Sequence, residues 1–137
     1  MTHQEKTDLS RVRLERAFEC LSTARENCRL GDYRAAANRA YYAVFHAIRA
    51  VLAMDEIDMS KHSAVISEFR RRYLKTDILD RRFSGLITDA FEIRNESDYD
   101  DFYIIVRADV EQEMDDTQTF LETVRGYLAR VYNSVNE

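Results

Sequence analysis

The chain contains no proline and only three glycines, Gly31, Gly85 and Gly126, in 137 residues. Sheets need turn chemistry at short intervals, and tight hairpins draw on Gly, Asn and Asp. A chain this poor in breakers reads as all-helical. Its length fits a single domain spanning residues 1–137, since domains cluster at roughly 100–150 residues. An apolar fraction of 45% against 33% charged residues is the balance of a folded, solvated globule, not of a disordered chain.

Hydrophobic spacing divides the chain into helices. The first is expected over about Asp8–Leu30, with Leu14, Phe18, Leu21, Ala24 and Cys28 on one face. Gly31 suits the position after a helix end, because it adopts positive φ cheaply. Asp32 offers a cap for a second helix over about Tyr33–Met54. That helix carries a small stripe (Ala36, Ala40, Ala43, Ala47, Ala50) beside a large one (Tyr41, Phe45, Ile48, Leu52). Apolar over so much of its girth, it should be buried by several neighbours. A third line on the same helix is polar: Asn38, Tyr42, His46 and Arg49. It is either a solvated seam or the wall of a cleft.

Ser60 is the candidate cap of a short third helix with Val65, Ile66, Phe69 and Tyr73. A fourth starts near Asp77–Asp80 and runs to about Asp98. The last begins near Tyr103 or Ile104, its core face marked by Val106, Val110, Met114, Thr117, Leu121, Val124, Leu128, Val131 and Val135. Short connections imply antiparallel neighbours. The expected architecture is an all-α, up-and-down bundle of four to five helices with a long C-terminal helix.

Several site types are missing from the pattern. Cys20 and Cys28 sit roughly 12 Å apart along one helix, too far for a disulfide, and read as small core or boundary residues. The histidines His3, His46 and His62 are scattered, so neither a metal nor a cofactor is expected. No apolar run approaches the roughly 20 residues of a membrane span, and Met1–Ser10 lacks a signal core, so a cytoplasmic protein with no membrane partner is expected. The net charge of −5 is unevenly spread. Residues 61–82 are rich in Lys and Arg, including Arg70, Arg71, Arg72 and Lys75, whereas residues 92–116 carry ten acids against Arg94 and Arg107.

The unusual stretch is Arg94-Asn95-Glu96-Ser97-Asp98-Tyr99-Asp100-Asp101-Phe102-Tyr103. Arg94 and Asp98 can pair across one turn. Five residues at ~100° each put Arg94 and Tyr99 about 140° apart, so they converge only if the helix breaks near Asp98. A helix end with local ion pairs accounts for the same residues.

The order of parts resembles the HEPN superfamily, and within it small prokaryotic proteins encoded beside nucleotidyltransferases. Its marks are Gly31-Asp32-Tyr33 opening an Ala- and Tyr-rich helix, Lys61-His62-Ser63 opening the next, Phe69, and Arg94-Asn95 leading into Asp98-Tyr99-Asp100. Together they cover nearly the whole chain. The resemblance implies a dimeric helical bundle and, in many relatives, a metal-independent ribonuclease whose motif is an Arg, a polar residue and, four to six positions after the Arg, a His. Arg94 and Asn95 match the first two places, and Tyr99 stands at the third. A phenol near pKa 10 is a poor general base where imidazole is a good one. The neighbouring acids would also repel RNA. In some relatives the nucleotidyltransferase attaches AMP to a Tyr two places after that His; here the place holds Asp101.

The leading expectation is therefore a dimeric interaction module in a toxin–antitoxin-like system, partnered by a nucleotidyltransferase. The alternative is a ribonuclease toxin with Arg94, Asn95 and Tyr99 at the dimer cleft, RNA being steered by Arg70, Arg71, Arg72 and Lys75. Candidate binding residues are Asp98, His46, Tyr42 and Arg49. A nucleotide pocket built on His46, Tyr42 and Arg94 is a third reading.

Overall fold

In the computed structural model, which describes residues 1–134, helix α1 spans His3–Arg29, α2 Tyr33–Ala53, α3 His62–Phe69, α4 Phe83–Tyr99 and α5 Arg107–Tyr132. No strand occurs among the described residues. The molecule is a helical bundle with α2 at its centre, packed against each of the other four helices. All five alanines of the small stripe on α2 have no exposed surface, and Tyr41, Phe45, Ile48 and Leu52 are buried beside them. Small side chains let α1 lie close along α2 while the large ones fill the space toward α3, α4 and α5.

The helix ends follow local chemistry. Thr2 and Glu5 form a reciprocal capping box, so α1 starts at His3, five residues before the expected Asp8. At its other end Gly31 has φ of 83°, and the Asp32 and Gly31 amides return to the carbonyls of Asn27 and Cys28. This is a Schellman ending. The Asp32 carboxylate then accepts the Ala35 amide and caps α2. Ser60 is not the cap of α3; Lys61 holds that position without a side-chain bond.

Beyond Phe69 the chain widens into a π-helical turn, Arg70–Leu74, which buries Tyr73 and Leu74. Helix α4 begins at Phe83, later than expected. The Asp80 carboxylate accepts the Arg82 amide and holds a turn ahead of the helix, while Leu79 is buried. Likewise α5 starts at Arg107, because residues 103–106 are extended. Tyr103 and Ile105 turn inward there, Ile104 and Val106 outward. Along α5 the expected core face holds from Val110 to Leu128, with Phe120 and Glu113 as additional buried residues. Val131 is half-buried, Val106 is exposed, and Val135 lies outside the described residues. Cys28 is buried and Cys20 partly so; both are free thiols.

Buried hydroxyls pin the helices together. Ser10 donates to the Ala50 carbonyl at 2.7 Å, and its oxygen lies 2.6 Å from the Tyr132 hydroxyl, tying α1, α2 and α5 at one point. Among the described residues no helix is long and apolar enough to cross a membrane.

Glu113 is 4% exposed and one of its carboxylate oxygens has no hydrogen-bond partner. Burial, with help from Asp89 and Asp116, raises its carboxyl from 4.5 to about 8. Between those values the folded chain keeps a proton that the unfolded chain has released. Stability should therefore decline as pH rises from about 4.5 and level off above about 8. Glu113→Gln should remove most of that slope in denaturant melts from pH 5 to 9, and should be the more stable protein at the alkaline end.

Candidate functional site

The polar line of α2 is not a solvated seam. Asn38, Tyr42, His46 and Arg49 are all partly covered, because other helices bring chemistry over them. Helix α1 contributes Arg13 and Arg16, the first turn of α3 contributes His62, and α4 contributes Arg94. A groove of about 450 Å³ opens at the mouth of this surface, lined by Phe45, Arg49, Asp58, Met59, Ser60 and His62.

Aromatic rings form its floor. Tyr41 is fully buried and meets Tyr42 edge-on at 5.1 Å. The His62 ring stacks on Phe45 at 4.0 Å, and its Nδ1 lies 3.0 Å from the Tyr41 hydroxyl. The Arg94 guanidinium carbon stands 5.1 Å from the Tyr41 ring centre and 5.7 Å from that of Tyr42. His62 in turn is 6.1 Å from Tyr41 and 6.0 Å from Tyr42, centre to centre. Arg94 and His62 thus share the same two tyrosines. The cation gains from the electron-rich ring faces, which favours holding it here after partial loss of water.

Arg94 Nε lies 3.0 Å from Asp98 Oδ2, an ionic contact in which Nε is buried but makes no well-aligned hydrogen bond. The pair fixes the arginine without exhausting its donors. Arg39 leans over Tyr42 at 5.0 Å and bonds Asn38. Arg13 and Arg49 converge on the single exposed carboxylate of Asp58, at 3.6 and 3.4 Å. Four arginines (Arg49, Arg16, Arg39 and Arg13), after burial itself, depress the His46 imidazole to about 4. Its Nδ1 is buried without a partner. His62 is also lowered, by burial first and then by Arg94 and Arg49. Both imidazoles are neutral near pH 7, and Tyr41 keeps its proton because burial raises its pKa.

The expected site residues divide. Tyr42, His46 and Arg49 are gathered with Arg94 and Asp98. Asn95 is exposed, and Tyr99 is 72% exposed at the last turn of a helix that stays regular, so within one chain it does not meet Arg94. Of the acids expected to crowd Arg94, Asp98 pairs with it, Asp100 and Asp101 follow the end of α4, and Glu96 is on the far side of the helix. At ~100° per residue Asp89, Glu92 and Glu96 lie 140–160° from Arg94. They line instead an acidic groove against α5, with Asp109, Glu113 and Asp116. The basic run after α3 is largely neutralised, since Arg71 and Arg72 pair with Glu68 and Arg70 bonds the Ser84 carbonyl and the Thr88 hydroxyl. Arg34 was not expected at all. It donates to the carbonyls of Ser97 and Tyr103 and so bolts the end of α4 to α2. Among the described residues no three His, Cys, Asp or Glu side chains are grouped to hold a metal ion.

The family model of the HEPN domain matches residues 10–127, from the first turns of α1 to the last of α5. This chain belongs to the HEPN family. A Methanocaldococcus jannaschii protein named "Putative toxin MJ0142" is similar at 29% identity, covering 90% of this chain and 83% of that protein. A second protein of the same organism, "Putative toxin MJ0605", is 33% identical over 63% of this chain and 64% of its own. A Thermotoga maritima "UPF0332 protein" is 27% identical over 97% of this HEPN chain and 96% of its own length. The shared span includes every helix that lends a side chain to the Arg94 surface.

Because His46 is depressed from 6.5 to about 4, its protonation opposes folding. The stability it permits is present above about 6.5 and is lost as pH falls through about 4. In thermal melts between pH 4 and 7, His46→Gln should flatten this acid limb while leaving the melting point near pH 7 little changed.

Proposed function

We propose that this HEPN protein is a toxin-type protein that acts on RNA in the cytoplasm, and that its Arg94 surface is a metal-independent ribonuclease site. The observation that carries this reading is the placement of Arg94: laid over Tyr41 and Tyr42, the two rings that His62 also meets, on the opposite side of α4 from the acidic groove. Arginine matches a phosphate by its fork of donors, and aromatic faces accept unstacked bases. Arg16, Arg39 and Arg49 extend the positive surface along α1 and α2, giving a backbone several cationic partners. The names of the M. jannaschii relatives agree with a toxin role.

A second reading concerns partners. Phe102 is 93% exposed and Ile104 83%, between the acids Asp100 and Asp101 and the start of α5. Apolar side chains projecting this far mark a surface for another protein. This favours a homodimer formed through the α4–α5 connection, with a nucleotidyltransferase as the antitoxin-like partner. Asn95 and Tyr99, remote from Arg94 within one chain, would then approach the Arg94 surface of the second copy.

Incubated with tRNA or mRNA, the purified protein should cleave, and Arg94→Ala should reduce the rate by on the order of 10²–10³-fold, as for loss of one donor to a developing oxyanion. Wild-type protein that leaves RNA intact would reject the ribonuclease reading. Phe102→Asp should convert a dimer to a monomer in size-exclusion chromatography with light scattering; a wild-type chain that is monomeric at high concentration rules out the dimer.

A further inference from the structure

The match to the ribonuclease motif breaks at Tyr99, which leaves the Arg94 surface without an imidazole from its own helix. An imidazole from elsewhere in the chain nonetheless stands against the same two tyrosines as Arg94. We propose that His62, from the first turn of α3, is the catalytic base of this site and takes the place that Tyr99 does not fill. The assignment rests on the ribonuclease reading above.

Three features of the geometry argue for it. His62 and Arg94 lie about equally close to the same two rings, Tyr41 and Tyr42, and the Arg94 charge is near enough to act on the imidazole. The ring is held in one orientation by the 4.0 Å stack on Phe45 and the 3.0 Å contact from Nδ1 to the Tyr41 hydroxyl. The base role uses the tautomer in which Nδ1–H donates to that oxygen and Nε2 keeps its lone pair. No hydrogen bond engages Nε2 among the described residues, and His62 lines the open groove with Arg49 and Ser60. The lowered pKa is consistent with this, as it keeps the base unprotonated at neutral pH.

The other histidine of the surface does not serve. His46 pairs with the Tyr42 and Phe45 rings and not with Tyr41, and burial with four nearby arginines depresses it to about 4, which makes it a weak base near neutral pH. His3 lies at the far end of α1, against the Tyr132 carbonyl.

The step balances as follows in atoms and charge. Nε2 takes the proton of a ribose 2′-hydroxyl, and the 2′-oxygen forms a new bond to the adjacent phosphorus. The bond from phosphorus to the 5′-oxygen breaks, and the departing oxygen keeps the electron pair and takes a proton from water. Arg94 stabilises the charge that builds on the non-bridging oxygens. The products are a 2′,3′-cyclic phosphate and a 5′-hydroxyl, and the imidazolium returns its proton to solvent.

The test uses a short fluorescent oligoribonucleotide, with wild type, His62→Gln, His62→Gly and Arg94→Ala compared from pH 4.5 to 8.5. His62→Gln should lower kcat by about 10²–10⁴-fold, the usual reach of general base catalysis, with KM and anisotropy-measured RNA binding within about twofold of wild type. The rise of kcat/KM with pH expected of wild type should vanish in His62→Gln, and added imidazole should restore part of the activity of His62→Gly. If Arg94→Ala is inactive while His62→Gln cleaves within about threefold of wild type, the assignment of His62 fails and the ribonuclease reading stands. Equal loss of binding and cleavage in His62→Gln, or failure of imidazole to rescue His62→Gly of native melting behaviour, also overturns it. Wild-type protein that does not cleave overturns both.

Discussion

Every feature of this molecule depends on α2 being covered on nearly all sides. A helix can be enclosed by four others only if part of its surface is nearly bare, and the alanine stripe provides that. With no side chain longer than a methyl along it, α1 packs close to the α2 backbone, and the stripe carries no exposed surface at all. The larger residues on the adjoining face then meet α3, α4 and α5. One helix sets the spacing of the rest, and Ser10 of α1, bonded to the Ala50 carbonyl of α2 and in contact with the Tyr132 hydroxyl of α5, ties three of them at one point.

A covered helix cannot give its polar residues to bulk water. Asn38, Tyr42, His46 and Arg49 must therefore face whatever the neighbours bring, and the neighbours bring mainly arginine and histidine. The neutral imidazoles at His46 and His62 are a consequence of burial first and of that positive surrounding second. Charge is sorted across α4 by helical geometry alone. Four-residue spacing keeps Asp98 under Arg94, whereas Glu92 and Glu96, two residues away on each side, are turned to the other face. A stretch that is acidic in sequence thus presents one basic and one acidic surface.

The helical class, the five segments and the core stripes of α2 and α5 were legible because periodicity of 3.6 residues and the scarcity of Gly and Pro act locally. The ends were less so. The start of α1 moved to His3 because Thr2 and Glu5 cap one another, a signal present in the sequence but outweighed by the polar character of the first residues. The start of α4 moved later because the Asp80 carboxylate closes a local turn on the Arg82 amide, and that of α5 because the segment before it is held from a distance, by the bond from Arg34 to the Tyr103 carbonyl.

The site shows the same division. Its four α2 members and the Arg94–Asp98 pair could be named from spacing, since residues three and four apart on a helix share a face whatever surrounds them. That Arg94 looks onto Tyr41 and Tyr42, that Tyr99 looks away, and that His62 stands 32 residues upstream of Arg94 yet against the same rings were decided by how α3 and α4 dock on α2. Sequence by itself determines what lies along one helix, because backbone geometry is repetitive. Which helices face one another, and hence which imidazole meets which guanidinium, is set by side-chain volumes fitting across elements, and that exists only in the folded chain.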